Sequence, residues 1–332
     1  MGADCFELYR TRFMHMLKEV GLPLATSITI TGLTNLSLHL REVDDKWIKI
    51  NRFRDNMETW HHQDWPHSER KLEEMAIEFG GVKEHIIFVV QDTIPTDVET
   101  GYDGWFVNGQ YPKVSFQGYE KKNELYLAAQ TDYKDLPEAV LEVNEKIKPI
   151  LKGYGYANAI ASEIRVKDDV GFFIDPTFRW PGQSGEHFLE SCTNLANVIW
   201  HGANGILIEG EFGNLFAAEA TLHHGDRGED WKVLSVPKSV EQWFKGYHYC
   251  IVDDLYQFPP GKNDEVGVIL GIGDTIEGAI DNLKEHLEEF KDEPVSAKIE
   301  GFKDLIESIN EAEKEGIEFS DHEIPSPAEV LS

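Results

Sequence analysis

Cysteine is scarce in this 332-residue chain: three residues, Cys5, Cys192 and Cys250, odd in number and far apart. A disulfide-stapled scaffold is therefore excluded, metal-ligand spacing is missing, and the thiols are expected to be buried in a reducing compartment. Positive charge is also short, with 31 Lys and Arg against 60 Asp and Glu, a formal net charge of -29. Nucleic acid and anionic membrane both demand a basic footprint, so neither is an expected partner, and any phosphate ligand has to be gripped locally. No run of eighteen apolar residues occurs, and the first residues lack a basic region followed by an apolar core. A membrane span and a secretory leader are thus not expected, and the reading is of a cytoplasmic protein.

The chain has length and apolar content for two domains or one multi-lobed domain. Its most informative stretch is Ala157 to Arg179, ANAIASEIRVKDDVGFFIDPTFR, which reads with a period of two as strands joined by a polar turn around Asp169. Folded about Asp169, the hairpin sets Glu163 opposite Asp175. Like charges at that spacing repel, and a cation between them would give the pairing a reason; the alternative is a surface hairpin with scattered charges. Asp175, Thr177 and Arg179 are expected on one face, with Phe172, Ile174, Pro176 and Phe178 on the packed one. Carboxylate and hydroxyl oxygens suit Mg²⁺, and Arg179 keeps a permanent positive charge for phosphate.

Elsewhere, residues 5 to 20 carry Phe6, Tyr9, Phe13, Met16, Leu17 and Val20 at helical spacing, ended by Gly21 and Pro23. In KWIKIN, Ile48 and Ile50 mark a packed side and Lys49 faces the other way, onto a solvated edge or toward a phosphate. His61, His62 and His67 lack the spacing of a zinc helix. A helix is expected over residues 68 to 79, a buried strand at HIIFVV, and a helix from about Gly185 to Ala203 with Phe188, Leu189, Cys192, Leu195, Ala196, Ile199 and Trp200 as its apolar face. GIGDTIEG places Gly-x-Gly between a strand and a helix, but the third glycine is too distant for a dinucleotide fingerprint. Asp274 and Glu277 fit a capping pair for the helix from Thr275 to Phe290.

In this order of parts the chain resembles the ATP-grasp superfamily, most closely phosphoribosylamine-glycine ligase and its relatives, from the first helix to about Ala297. Glu163 looks like the family's first metal carboxylate, Asp175 like the second, Thr177 stands where Asn is usual, and Arg179 matches the arginine. Lys49 resembles the lysine that touches the nucleotide phosphates. The segment VVQDTIP looks like the adenine hinge, with Gln91, Asp92 and Ile94 as nucleotide contacts and Glu99, or its rival Asp97, at the ribose. The glycine-rich loop usual after the lysine is absent, and Arg52 and Arg54 stand there instead as phosphate contacts.

The resemblance implies an α+β fold: two lobes gripping a nucleotide cleft (residues 1–90 and 91–205), a C-terminal mixed-sheet lobe (206–315) and an acidic tail (316–332). It implies ATP and Mg²⁺ as cofactors, and an ATP-dependent ligase that joins a small-molecule carboxylate to an amine through an acylphosphate, with Lys49 and Arg179 catalytic. The alternative is a degenerate grasp-fold protein that binds nucleotide or serves a structural role without turnover. The family's preceding domain is not expected within this chain, and a separate chain supplying it is one possibility.

Overall fold

The computed structural model describes residues 6, 8–52, 59–96, 98–121, 123–225, 230–260, 264–319, 324–328 and 330. Helix α1 (Arg10–Glu19) buries Phe13 and Leu17, and the chain turns at Gly21, whose φ of +73° is one that glycine adopts freely. There follow β1 (Ser27–Thr31), α2 (Leu33–Leu40), β2 (Lys46–Ile50), β3 (Thr59–His62), α3 (Trp65–Phe79) and β4 (Ile87–Asp92). The four strands form an antiparallel sheet in the order β1-β4-β2-β3. Its period-two pattern sends Ile48, Ile50, Phe88 and Val90 into a core closed by Leu36, Leu40, Leu72 and Met75 of α2 and α3. Lys49 leaves the opposite face; since β2 is an interior strand, the solvated-edge reading is excluded. Helix α3 starts earlier than its apolar pattern indicates, because Asp64 accepts the His67 amide at 3.0 Å and Pro66 preorganises the first turn. His62 is buried, with its ring nitrogens 2.7 Å from Ser68 Oγ and 2.8 Å from the Val43 carbonyl, so it works as a core polar link.

The second sheet begins with β5 (Glu99–Val107), β6 (Val114–Lys121) and β7 (Leu125–Asp132), continues through helix α4 (Glu138–Gly153), and reaches the hairpin of β8 (Ala157–Lys167) and β9 (Val170–Thr177). The hairpin turn is the two-residue pair Asp168 and Asp169, both at positive φ (+50° and +61°), as the strand twist demands. Such a turn alone would pair Asp175 with Ser162. The ladder instead runs from Lys167–Val170 to Ile164–Phe173, skips Ile174, and resumes at Glu163–Asp175 and Ala161–Thr177. This bulge corrects the expected faces. Phe173 enters the core with Ile164 and Val166, whereas Phe172 and Ile174, expected on the packed face, are only half-buried. The Glu163–Asp175 pairing stands.

Beyond the hairpin, the expected continuous helix is three pieces, α5 (Gln183–Glu186), α6 (Phe188–Ser191) and α7 (Leu195–Ala203). The interruption falls at Asn194, whose side chain accepts from the Glu211 amide at 2.9 Å and donates to the Glu209 carbonyl at 3.0 Å. Leu195 and Val198 face inward, but Ile199 and Trp200 are 55% and 70% exposed, so the expected apolar face is only partly packed. The remaining elements are β10 (Phe216–His224), β11 (Lys232–Leu234), β12 (Phe244–Gly246), β13 (Cys250–Val252), β14 (Leu255–Phe258), β15 (Glu265–Gly273), α8 (Ile276–Glu288), β16 (Val295–Ser296) and α9 (Phe302–Lys314). Strands β11, β14 and β13 make a small sheet, and the rest extend the second sheet into the antiparallel order β12-β15-β10-β7-β6-β5-β8-β9, with β16 on β10. Cys192 is buried but Cys250 is exposed, against expectation; Cys5 lies outside the described residues.

The Gly-x-Gly of β15 serves packing. A Cβ on Gly271 would lie 2.2 Å from the Ala279 carbonyl, and one on Gly273 would lie 2.5 Å from the Ala279 amide, so α8 can press onto β15 only over glycine. Thr275, rather than Asp274, caps that helix by accepting the Gly278 amide at 3.0 Å. One face of the large sheet is buried with α1, α4, α8 and α9. The other is covered in part by α6 and α7 around Trp105, Phe116 and Phe188. Its uncovered portion faces the four-stranded sheet.

Candidate functional site

Between the two sheets lies a cavity of about 510 Å³, lined by Trp47, Lys49 and Gln91 on one side and Tyr119, Glu163 and Asp175 on the other. The bulge that keeps Glu163 and Asp175 paired also leaves the Ile174 carbonyl outside the ladder, and Lys49 Nζ donates to it at 2.9 Å. Lys49 is only 4% exposed, and its Nζ lies 3.7 Å from Asp175 Oδ2. Arg10 on α1 reaches the same oxygen, with Nη2 donating at 3.0 Å. Two cations from separate elements therefore converge on one carboxylate at the junction of the sheets.

Four more residues expected at a nucleotide, Gln91, Asp92, Ile94 and Glu99, line the same cavity. Gln91 is buried on β4, Asp92 pairs with Lys46 at 3.2 Å, and Ile94 and Glu99 line the wall. Glu99 accepts from Arg165 Nε at 2.8 Å, and the Arg165 guanidinium lies 5.8 Å from the centre of the Trp47 ring. Arg54 and Asp97 lie outside the described residues. Arg52 stacks over the Tyr9 ring at 4.4 Å.

A second cavity of about 310 Å³ adjoins the first, and Glu99, Glu120 and Glu163 line both. Thr177 and Arg179 line this second cavity and not the first. Strand neighbours explain the crowding of acids: Gly101 of β5 pairs with Glu163, and a Cβ there would lie 2.6 Å from the Ser162 carbonyl, so the backbones approach closely with no side chain between. Burial, followed by the carboxylates of Glu120, Asp175 and Glu99, pushes Glu163 well above the usual carboxylate range, against a pull downward from Lys49.

The donor set fits Mg²⁺. Glu163 and Asp175 share one face with the Thr177 hydroxyl one pair further along, and the repulsion at Glu163 is what a divalent cation would relieve. Among the described residues no group of three or more His, Cys, Asp or Glu side chains converges to cage a metal. The protein would thus supply two carboxylates, leaving other positions to phosphate oxygens and water, as Mg²⁺ typically requires.

Arg10, Glu120 and Arg165 are site residues that the sequence reading does not single out. Arg10 had a legible signal: it falls on the buried stripe of Phe6, Phe13 and Leu17 at helical spacing, where a charge has no reason to be unless it meets a partner. Glu120 and Arg165 had none, since strand alternation sets their face but not what that face meets.

No family model matches the chain, and no curated protein is similar to it in sequence. Solved structures are. Phosphoribosylamine-glycine ligase from Thermotoga maritima superposes with a TM-score of 0.64 at 13% identity, over 88% of this chain and 77% of that one. L-amino acid ligase from Bacillus licheniformis gives 0.56 at 15% identity, over 87% and 71%. N5-carboxyaminoimidazole synthetase from Staphylococcus aureus, solved with ADP, gives 0.52 at 12% identity, over 86% and 72%. Identities this low speak to fold alone. The likeness extends over 86% or more of the chain, and the fold it shows is the ATP-grasp fold.

Proposed function

We propose that the chain is an ATP-dependent ligase that joins a carboxylate to an amine, with the nucleotide in the cavity between the sheets. The observation that carries this reading is the convergence of Lys49 and Arg10 on Asp175, across sheets that meet at the cleft. A buried ammonium and guanidinium beside paired carboxylates are the apparatus for holding a metal-bound polyphosphate. Glu163 and Asp175 would hold Mg²⁺, which would supply positive charge to the polyphosphate. Lys49 and Arg10 would orient the outer phosphates, and Gln91 and Ile94 would bound the base.

In the proposed reaction a substrate carboxylate oxygen attacks the γ-phosphorus, the bond to the β-phosphate oxygen breaks, and ADP leaves. The amine nitrogen then attacks the acylphosphate carbon, phosphate departs with the carbon–oxygen bond, and the nitrogen gives up a proton. Arg179, which lines the second cavity, would steady the acylphosphate as charge shifts.

Calorimetric titration of Mg²⁺-ATP into the protein tests the reading. Micromolar binding is expected, and Asp175→Asn should weaken it at least about 100-fold, roughly 2.7 kcal/mol. Equal affinity in wild type and variant would remove the site.

A further inference from the structure

Strand β1 is an outer strand of the four-stranded sheet, and it carries none of the features by which a sheet edge normally resists pairing. The large sheet shows such features: β9 is bulged at Ile174 and carries Pro176, and β12 is three residues long with Lys245 at its centre. Strand β1, Ser27-Ile28-Thr29-Ile30-Thr31, pairs with β4 without a register shift and holds no charge and no proline. It lies in a run from Val20 to Leu40 free of Asp, Glu, Lys and Arg, where a chain that is 27% charged would place about six. Four of its five residues are exposed, Ile28 to 47%. A groove of about 420 Å³ keeps α1 off the strand.

Hydrogen bonding fixes which main-chain groups are available. The Asp92 amide donates to the Thr26 carbonyl at 2.8 Å and the Gly32 amide to the Ile86 carbonyl at 2.9 Å, so in this register the even-numbered residues turn toward β4. The amides and carbonyls of Ser27, Thr29 and Thr31 point the other way, out of the sheet edge. Their order is nearly palindromic. An antiparallel copy centred on Thr29 would set Thr29 opposite its own counterpart, Ser27 opposite Thr31 and Ile28 opposite Ile30, with about two hydrogen bonds at each pair of hydroxyl-bearing residues. On one face hydroxyls would meet hydroxyls; on the other Ile28 would cover Ile30, which already packs against the core of Ile48, Phe88 and Val90. Two chains of charge -29 repel, so a self-contact favours a place where neither presents charge, and a charged residue at a two-fold axis would meet itself. The sequence SITIT meets both conditions.

We infer that β1 is a self-association surface, on which two copies of the chain pair antiparallel about a two-fold axis at Thr29 and join their four-stranded sheets into one. Neither Ile28 nor Thr29 lines the nucleotide cavity, so this surface is separate from that site and the inference stands apart from the ligase reading.

Sedimentation equilibrium of the full chain tests it. A strand-sized interface is small, so a monomer–dimer equilibrium with a Kd on the order of 10 µM is expected, mostly monomer at about 1 µM and mostly dimer at about 200 µM. Because the copies repel, raising sodium chloride from about 20 to 300 mM should tighten the dimer at least about threefold. Thr29→Pro removes a donor from the axis without removing a bond to β4, and Ile28→Lys puts an ammonium opposite Ile30. Each variant should stay monomeric at about 200 µM while melting within about 3 °C of wild type. Should Thr29→Pro melt early, Ile28→Lys decides, since lysine is at home on an exposed edge. A wild type that is monomeric at about 200 µM, an assembly larger than a dimer, a dimer loosened by salt, or one that persists in either folded variant would overturn the inference.

Discussion

At the scale of single residues, the chain concentrates buried acids where its two cavities meet. Burial pushes Glu219 well above the carboxylate range and raises Glu186 to about 7, while it lowers His187 to about 3. A carboxyl whose folded pKa is raised contributes stability below its unfolded value of about 4.5 and loses it as pH climbs toward 7. His187 works in the opposite direction, with stability gained as pH rises from about 3 to 6.5. The two overlap, so the informative quantity is a difference between proteins. Urea unfolding of Glu186→Gln should match wild type near pH 4.5 and exceed it by about 1–3 kcal/mol above pH 7, because glutamine keeps an acceptor without the charge. A difference independent of pH would show that Glu186 is not the group titrating.

At the scale of elements, the β8–β9 hairpin shows how a local irregularity does two jobs. The turn places Asp168 and Asp169 at positive φ, a conformation that costs an L-residue about 1 kcal/mol and that Asn-Gly adopts readily. The double substitution Asp168→Asn with Asp169→Gly should raise stability by about 0.5–1 kcal/mol in thermal unfolding and leave Mg²⁺-ATP affinity unchanged, since neither residue lines either cavity. Register was legible in the sequence only at its outcome. The opposed Glu163 and Asp175 follow from a turn centred on Asp169, but the molecule reaches that pairing with a turn half a residue earlier and a bulge at Ile174. Periodicity cannot reveal a bulge that restores the pairing it disturbs. For the same reason the faces of Phe172 and Ile174 were misread.

At the scale of the whole molecule, a formal charge of -29 makes self-repulsion a term in folding. Raising sodium chloride from about 10 to 300 mM shortens the screening length from about 30 Å to below 8 Å and should raise the melting temperature by several degrees. Because the excess acid is spread over many exposed positions, Glu163→Gln alone should not abolish that salt dependence. Local contacts oppose the trend: the cleft gathers Arg10, Lys46, Lys49 and Arg165, each within salt-bridge distance of an Asp or Glu.

What the sequence determined by itself is whatever depends on spacing along one element. The sides taken by Ile48, Ile50 and Lys49, the packed stripe of α8, and the facing carboxylates of the hairpin are set by periods of two and 3.6, which side-chain direction obeys regardless of surroundings. Tertiary structure decided what those faces meet. Lys49 reaches the Ile174 carbonyl 125 residues away, Arg10 reaches Asp175 at a separation of 165, and Glu219 comes to lie behind a cavity floor made by β7 and β10. Such contacts arise when sheets pack, a step governed by total buried surface and chain topology, and no local pattern encodes them.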